Sequence, residues 1–600
     1  MSYHESYVRM WRPVSSLAVS ILLALVLACG PGQEPTPPPT TIPTATAKPV
    51  PTATPTAAPL ATPTPTRPGP TATPTPTSVA TPSPTPTPGV QPKKGGVLKQ
   101  VYEVYPPSYD QQFLSVQRAY SYWLPKLYSN LLVNYEGDQI DCEVCADWHL
   151  EDGGKTMVFN LPPGIKFHNG KEMTSADLAY SLKMLTGEID GIVSPRSGVV
   201  KEYIQAIETP NKTQLKVRLL RPSAFVPKIL SITTSAIYPE GTTRDDLAKK
   251  PAGSGPFILT KAVPGAGMTF ERNPNYFKPG LPYLDGVEVT VLSDATAQAA
   301  AFLTHKTEYT WATPRDTSAQ IRDQYKKLAA EKRMSSVRVP TVCGISGAWM
   351  VNSKPPFNNL KLRQAVNLAL DRDAVGKVVY GNEYVEQLLF FNQGFYWATP
   401  KEQIWNIVPG WGTGAKKQQE IEQAKQLVKD AGYPNGIDIL QLGRTTGWST
   451  QSMSEEVQRE LAKADIRTKF DLSDIATHSQ RMVDANYQLH AFTYCLTTFD
   501  PDEAVGQYWL TGGARNNFAY SNPEVDRLYI AMSSEPDPAK RRALFFQIQD
   551  IIVLKDVAFA TLPHEAADIY WWNRLQGFTL GFHYFFSSGL WRQDRLWLQD

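Results

Sequence analysis

Two periods of apolar and polar positions interleave along most of the chain. Val97-Leu98-Lys99-Gln100-Val101, following Gly95-Gly96, predicts a strand over 97–101. Val158-Phe159-Asn160-Leu161 and Ile165-Lys166-Phe167 flank Pro162-Pro163-Gly164 and read as further strands, with Asn169-Gly170 marking another turn. Thr174 and Asp177 stand at the spacing of a capping box ahead of Leu178-Ala179-Tyr180-Ser181-Leu182, which predicts a helix start. Leu362, Ala365, Val366, Ala369 and Leu370 repeat at helical spacing and predict a second helix. A third is expected over 422–431, stopped by Gly432 and Pro434, and a fourth over 457–464 with Glu460 and Lys463 on its solvated side. Strands and helices alternate throughout, which indicates α/β or α+β lobes. No repeat of 20 to 50 residues is present.

The first 92 residues break this pattern. Arg9 and Arg12 precede an apolar run from Leu17 to Ala28, followed by Cys29. Such a run is too short for a spanning helix and reads as a secretory signal over 1–28. Its ending, Val26-Leu27-Ala28-Cys29, resembles the bacterial lipobox, which makes Cys29 the expected lipidated first residue of the mature chain. Residues 31–92 hold 21 of the 50 prolines and 18 threonines, with only Glu34, Lys48 and Arg67 charged. That composition has too little apolar area to offset ordering entropy, so 29–92 reads as a disordered tether. The expected location is outside the cytoplasm, on a lipid anchor at the cell membrane.

Charge and cysteines narrow the function classes. Lys plus Arg at 59 against Asp plus Glu at 57 gives +2, with no local excess for a phosphate backbone, so no nucleic-acid partner is expected. Cys142, Cys145, Cys343 and Cys495 lie in a disulfide-permissive compartment and allow three pairings. A lone Cys142-x-x-Cys145 is weak evidence for zinc, because no second ligand pair stands at zinc spacing. The histidines include no pair at i, i+4, so no metal and no cofactor is expected. Neither a Gly-x-Ser-x-Gly elbow nor a Walker loop is present, and His564-Glu565 lacks the second histidine of a zinc protease; an enzyme is not expected.

Beyond residue 92 a series of short motifs stands in order, beginning with Gly95-Gly96-Val97-Leu98, Leu127-Tyr128-Ser129-Asn130-Leu131-Leu132 and Phe159 through Lys171 with Thr174-Ser175-Ala176-Asp177. It continues through Gly253-Ser254-Gly255-Pro256-Phe257, Arg272-Asn273-Pro274-Asn275-Tyr276, Pro282-Tyr283-Leu284-Asp285 and Leu362-Arg363-Gln364-Ala365 to Ala369-Leu370-Asp371-Arg372 and Ala431-Gly432-Tyr433-Pro434. In this order they resemble the family 5 extracellular solute-binding proteins, the peptide and nickel class that serves ATP-binding-cassette (ABC) importers. These residues have structural readings of their own. His168 is expected to hydrogen-bond its Asn-Gly turn, Gly253 and Gly255 to permit a tight approach, and Arg363, Asp371 and Arg372 to form helix-surface ion pairs.

The resemblance implies a two-lobed periplasmic-binding-protein-like clamshell (class II, cluster C type) with an extra subdomain in the first lobe. Lobe 1 is expected over 93–140, 250–343 and 567–600, the subdomain over 141–249 and lobe 2 over 344–566. A small solute would be captured between the lobes and delivered by a monomer to an ABC permease and ATPase complex. Peptide-binding relatives place an aspartate three residues before an Asp-Pro pair to hold the peptide's α-ammonium; here Thr497 precedes Asp500-Pro501. A hydroxyl supplies no counter-charge, which weakens the ordinary peptide reading and raises an oligosaccharide as an alternative, with a solute-sensing receptor as a third. Relatives also imply a Cys343–Cys495 bridge beside the cleft, leaving Cys142 and Cys145 for a local one. Trp311, after Glu308-Tyr309, together with Tyr105 and Tyr109, is expected at the first-lobe wall. Trp349, Trp397, Trp448 and Tyr494 are expected at the second, with Thr497, Thr498 and Asp500 as polar partners.

Overall fold

A computed structural model of the chain describes residues 91–113, 124–135, 139–195, 197–314, 317–339, 345–392, 395–445, 450–498, 500–581 and 592–599. The leader, Cys29, nearly all of the tether, Cys343 and Trp448 lie outside the described residues.

The predicted opening strand is Val97–Tyr102, parallel to Gly286–Val291 at the edge of a sheet completed by Gly267–Arg272 and Phe257–Val263. Beside it stands an antiparallel sheet in the order Asp147–Glu151, Thr156–Asn160, Gln214–Leu219, Ile204–Asn211. One continuous apolar core unites the two, joined by Ala567, Ile569 and Trp571 and by Leu596 and Leu598 near the C-terminus. The helix Ser175–Thr186 starts where the spacing predicts: the Asp177 carboxylate accepts from the Thr174 backbone N–H (2.8 Å) and hydroxyl (3.0 Å), and Gly187 ends it in the left-handed region. Ile165 to Phe167 is not a strand; it contributes a single bridge, Lys166 to Glu172. Cys142 and Cys145 form a disulfide across a short loop.

A second body is built on a five-stranded sheet in the order Ile466–Ser473, Ile437–Arg444, Leu489–Tyr494, Ile345–Met350, Phe559–Thr561. Its two faces carry separate cores. Along Ile345–Met350 every residue is buried, Ile345 and Trp349 entering one core and Ala348 and Met350 the other, as the two-residue period of a doubly covered strand requires. The predicted stripe lies on the helix Leu360–Ala369, with Leu362, Ala365, Val366 and Ala369 buried. The chain connects the two bodies where Met334–Val339 leads toward Ile345–Met350, and returns from Phe559–Thr561 to Ala567–Trp572.

Several local expectations are corrected. The third helix spans Gly414–Asp430, starting earlier than its apolar stripe. Its extra turns are anchored by a buried lysine: Lys417 Nζ donates to the carbonyls of Leu368, Leu370 and Gly410 and pairs with Glu420 at 2.7 Å. The fourth is Gln451–Ala462, and Glu460 is buried rather than solvated, paired with exposed Lys463 at 2.7 Å. Arg372 is not a surface ion pair. It is fully buried, donates to the carbonyls of Thr561, Asn367 and Leu370, and covers the Trp411 ring at 5.3 Å. Asp371 caps the following helix, and Arg363 donates to the Asp556 and Phe357 carbonyls.

Candidate functional site

The strand Leu489–Tyr494 ends at the middle of the second sheet, and the chain then turns into the helix Pro501–Tyr508. That turn is wrapped around one carboxylate. Glu503 accepts from the backbone N–H of Thr497 (2.8 and 2.9 Å), the N–H of Thr498 (2.7 Å) and the Thr498 hydroxyl (2.8 Å). An acidic side chain in a first helical turn is favoured there by the exposed N–H groups and the dipole, so the same residue starts the helix and shapes the loop. The Thr498 hydroxyl is committed to this contact. The Thr497 Oγ1, equally buried, has no hydrogen-bond partner.

Asp500 caps the helix by accepting from the Asp502 N–H at 2.9 Å. Arg541, on the helix Pro538–Gln549, donates to both Asp500 oxygens and to Asp502 Oδ2 at 2.6 Å. A second cation, Lys228 Nζ, lies 3.1 Å from Asp500 Oδ2 and comes from the first body. Burial is the largest influence on the Asp500 carboxyl and pushes its pKa up, but Arg541 and Lys228 together outweigh it and hold the group well below the usual range. Asp502 goes the other way: burial and the neighbouring Asp500 charge raise it, against Arg541.

The aromatic candidates divide. Trp349 is enclosed: Phe559, Phe518 and Trp509 stack on it at 4.8, 5.1 and 5.8 Å, Tyr494 meets it edge-on at 4.7 Å, and its Nε1 donates to the Phe492 carbonyl. No face is left for a solute, so Trp349 is a core residue, placed there by the doubly buried strand that carries it. Tyr494 is also buried, between Trp349 and Tyr508, with its hydroxyl 3.5 Å from Asn517 Nδ2. Trp397 is buried against Phe545 and lies 5.1 Å beneath the Arg541 guanidinium, so it backs the charge cluster. Half-buried Trp311 sits on Tyr309–Ala312, the outer strand of a three-stranded sheet. Tyr105 and Tyr109 share a hydroxyl contact of 3.0 Å in the loop after the first strand. Thr497, Thr498 and Asp500 thus share one loop, which follows directly on Tyr494 at the strand end, with Trp397 behind it through Arg541.

Residues the sequence did not flag join the two bodies. The Tyr203 and Tyr529 hydroxyls are 2.8 Å apart; Arg221 covers the Tyr203 ring at 4.8 Å and reaches the Tyr529 hydroxyl at 3.4 Å. Arg515 donates to Tyr508 Oη (2.9 Å) and to the carbonyls of Cys495 (3.4 Å) and Pro195 (3.3 Å). With Lys228 and Asp500, these contacts press residues 195–228 of the first body against 495–541 of the second. One signal was present: Lys228 is the lone charge in the apolar run Phe225 to Ile232. Immediately after it, Thr233 and Thr234 have buried hydroxyls without partners, and so does the whole side-chain amide of Gln111. Gln111 belongs to the same neighbourhood, because the next residue, Gln112, donates to the Ala236 carbonyl at 2.9 Å. Cys495 is disulfide-bonded; Cys343, its expected partner, lies outside the described residues.

Neutral buried groups without partners thus stand in the 495–503 loop, at Thr497, and in the first-body segments near Lys228, at Thr233, Thr234 and Gln111, whereas Asp500 and Glu503 are engaged by the protein's own donors and Asp502 through Oδ2. Such an arrangement is equipped to hydrogen-bond an uncharged polar surface.

Comparison with known proteins agrees with this architecture. Residues 140–516 match the profile of bacterial extracellular solute-binding proteins, family 5 Middle. The glutathione-binding protein GsiB of Pectobacterium atrosepticum is 25% identical over 441 residues, covering 70% of this chain and 80% of that protein. Among solved structures, the periplasmic binding protein DppA from Helicobacter pylori, in complex with the peptide STSA, superposes with a TM-score of 0.67 at 20% identity, covering 85% of this chain and 99% of that one. AgaA of A. tumefacien R10, in complex with agropinic acid, gives 0.65 at 21% identity, covering 84% and 99%. The two bodies are the lobes of a periplasmic-binding-protein clamshell.

Proposed function

We propose that this chain, which belongs to the bacterial extracellular solute-binding proteins of family 5, captures a peptide-like solute between its lobes by neutral hydrogen bonds and delivers it to an ABC permease and ATPase complex. The family consists of solute-binding proteins rather than enzymes, and its members work outside the cytoplasm. The observation that carries the solute class is the loop 495–503: its buried Asp500 and Glu503 are engaged by the protein's own donors and Asp502 is held through Oδ2 by Arg541, while the neutral Thr497 Oγ1 is left without a partner. A solute held here is bound through amide, hydroxyl or carbonyl groups. Peptide bonds offer these, as do glutathione and agropinic acid, the solutes named for the related GsiB and AgaA. A Cys343–Cys495 bridge is part of this reading and would brace the loop against the crossing between lobes. So is lipidation at Cys29; no helix among the described residues is long and apolar enough to cross a membrane.

A thermal-shift screen tests the solute class. Glutathione, short peptides with free and with acetylated N-termini, an opine and an oligosaccharide are compared, since a solute at a hundredfold excess over its Kd adds about 2.7 kcal/mol to stability. Peptides with either N-terminus are expected to raise Tm similarly. A rise confined to oligosaccharides would replace the peptide-like reading, and a solute recovered chemically altered would end it.

A further inference from the structure

Lys228 lies on the short helix Val226–Ser231, whose Val226, Pro227, Ile229 and Leu230 are buried in the first lobe. A lysine in such a setting keeps its stem among apolar neighbours and sends its ammonium to the nearest polar exit. Here the exit leads across the seam between lobes. The ammonium ends 3.1 Å from Asp500 Oδ2, with the lysine side chain 13% exposed and the carboxylate 0%.

We propose that Lys228 is a resident closing cation: its ammonium, seated on Asp500, holds the lobes together before any solute arrives and reserves that carboxylate against a solute's own ammonium. Three observations support the assignment. The carboxylate belongs to a pre-built cluster, since Arg541 holds Asp500 and Asp502 from within the second lobe whether or not the lobes meet. Lys228 brings to Asp500 a cation from the other lobe, so two carboxylates face two cations only in the closed form, and opening leaves Arg541 with both. The contact is also flanked by others that cross between the lobes, the Tyr203–Tyr529 hydroxyl pair and the Arg515 bond to the Pro195 carbonyl. Charge pairing in a seam shielded from water is far stronger than at an exposed surface. A clamshell whose closed form is already favoured binds its solute at a smaller conformational cost. Lys228 is thus a positioning and specificity-determining residue. The specificity half rests on the solute-binding reading; the closing half does not.

Hydrogen exchange of the full chain without solute tests the proposal. In Lys228→Met, exchange at the facing segments, Val226–Ser231 and Pro501–Tyr508, is expected to rise about tenfold, within the range typical of coupling between sites, while exchange in Ile437–Arg444 stays as it was. Lys228→Arg should retain most of the protection. In Lys228→Ala, butylammonium should restore protection where butanol does not, because the amine refills the place of the missing side chain. Unchanged exchange in Lys228→Met, or protection restored equally by amine and alcohol, overturns the closing cation. Exchange rising everywhere, including Ile437–Arg444, would make Lys228 a general packing residue and overturn it as well. Glutathione and an acetylated peptide are then added to wild type and to Lys228→Met. Wild type blind to every solute while Lys228→Met still opens would reject the solute reading and leave the closing cation standing; solute binding with no effect of Lys228→Met would do the reverse.

Discussion

The Gly253–Gly255 crossing of the first lobe and the 495–503 loop of the second are both tightly built, but by opposite means. At Gly253 a Cβ would fall 1.8 Å from the Leu127 carbonyl oxygen, and at Gly255 2.4 Å from that of Lys126. His168 seals the crossing, its backbone N–H on the Gly253 carbonyl (2.7 Å) and its Nε2 3.0 Å from that of Gly255, rather than bonding its own Asn-Gly turn as expected. Among the described residues no charged side chain bonds Gly253 or Gly255 itself; Arg592 donates to the Pro125 and Tyr128 carbonyls on the facing segment. The 495–503 loop is held instead by carboxylates: Glu503 gathers the Thr497 and Thr498 donors of the loop itself, while Asp500 and Asp502 are answered by Arg541 and Lys228 from elsewhere in the chain. Close backbone approach leaves a local mark in sequence, because only glycine permits it; charge wiring leaves none, because any acid can meet any base. The family motifs therefore concentrate in the scaffold, and the parts that decide what is bound are spread over ordinary residues.

The sharpest test of this contrast is Arg541→Met. It removes a cation serving two fully buried carboxylates, and breaking a buried pair from one side costs about 3–5 kcal/mol. Urea unfolding is expected to show a loss of that size, with Arg541→Lys recovering part of it through one point charge in place of a fork. A loss under about 1 kcal/mol would mean that the loop is held by its packing, as the first-lobe crossing is, and the contrast would dissolve.

Gly253→Ala probes the other side. Its methyl meets backbone rather than a yielding side chain, so a loss of about 2–3 kcal/mol is expected. The loss should be independent of salt and of pH near neutrality, whereas that of Arg541→Met should vary with acid as Asp500 and Asp502 titrate. The same division explains what was legible beforehand. The capped helix start at Thr174 and the stripe from Leu362 to Ala369 follow local rules, and both stand in the structure. Lys417, Glu460 and Arg372 defeat those rules, because each is a charged residue that is buried: Lys417 and Arg372 reach carbonyls distant in sequence, and Glu460 stays paired with Lys463 three residues on. Trp349 was misplaced for a related reason: its strand is covered on both faces, and nothing in an aromatic residue's own neighbourhood separates a cleft wall from a core. At the seam, Thr497, Thr498 and Asp500 were in view, but Lys228, Glu503, Arg515 and Arg541 were not: Lys228 and Arg515 matter because they reach across to the other lobe, and Glu503 and Arg541 because of the loop they gather within their own.

The smallest expected effect discriminates most finely. Thr497→Val replaces a buried hydroxyl that has no partner with a methyl group of similar size. A group of this kind gives nothing to the folded state, so stability should hold or rise by up to about 1 kcal/mol. If the hydroxyl is kept for the solute, losing it removes one hydrogen bond from the bound complex, about 0.5–1.5 kcal/mol, or roughly two- to twelvefold in affinity. Calorimetry with the tightest solute from the screen, beside urea unfolding of the same variant, reads both quantities. Stability kept with affinity lost places Thr497 in the solute site. Affinity kept with stability gained makes it an imperfectly satisfied core position, and moves the solute toward Gln111, Thr233 and Thr234 on the opposite lobe.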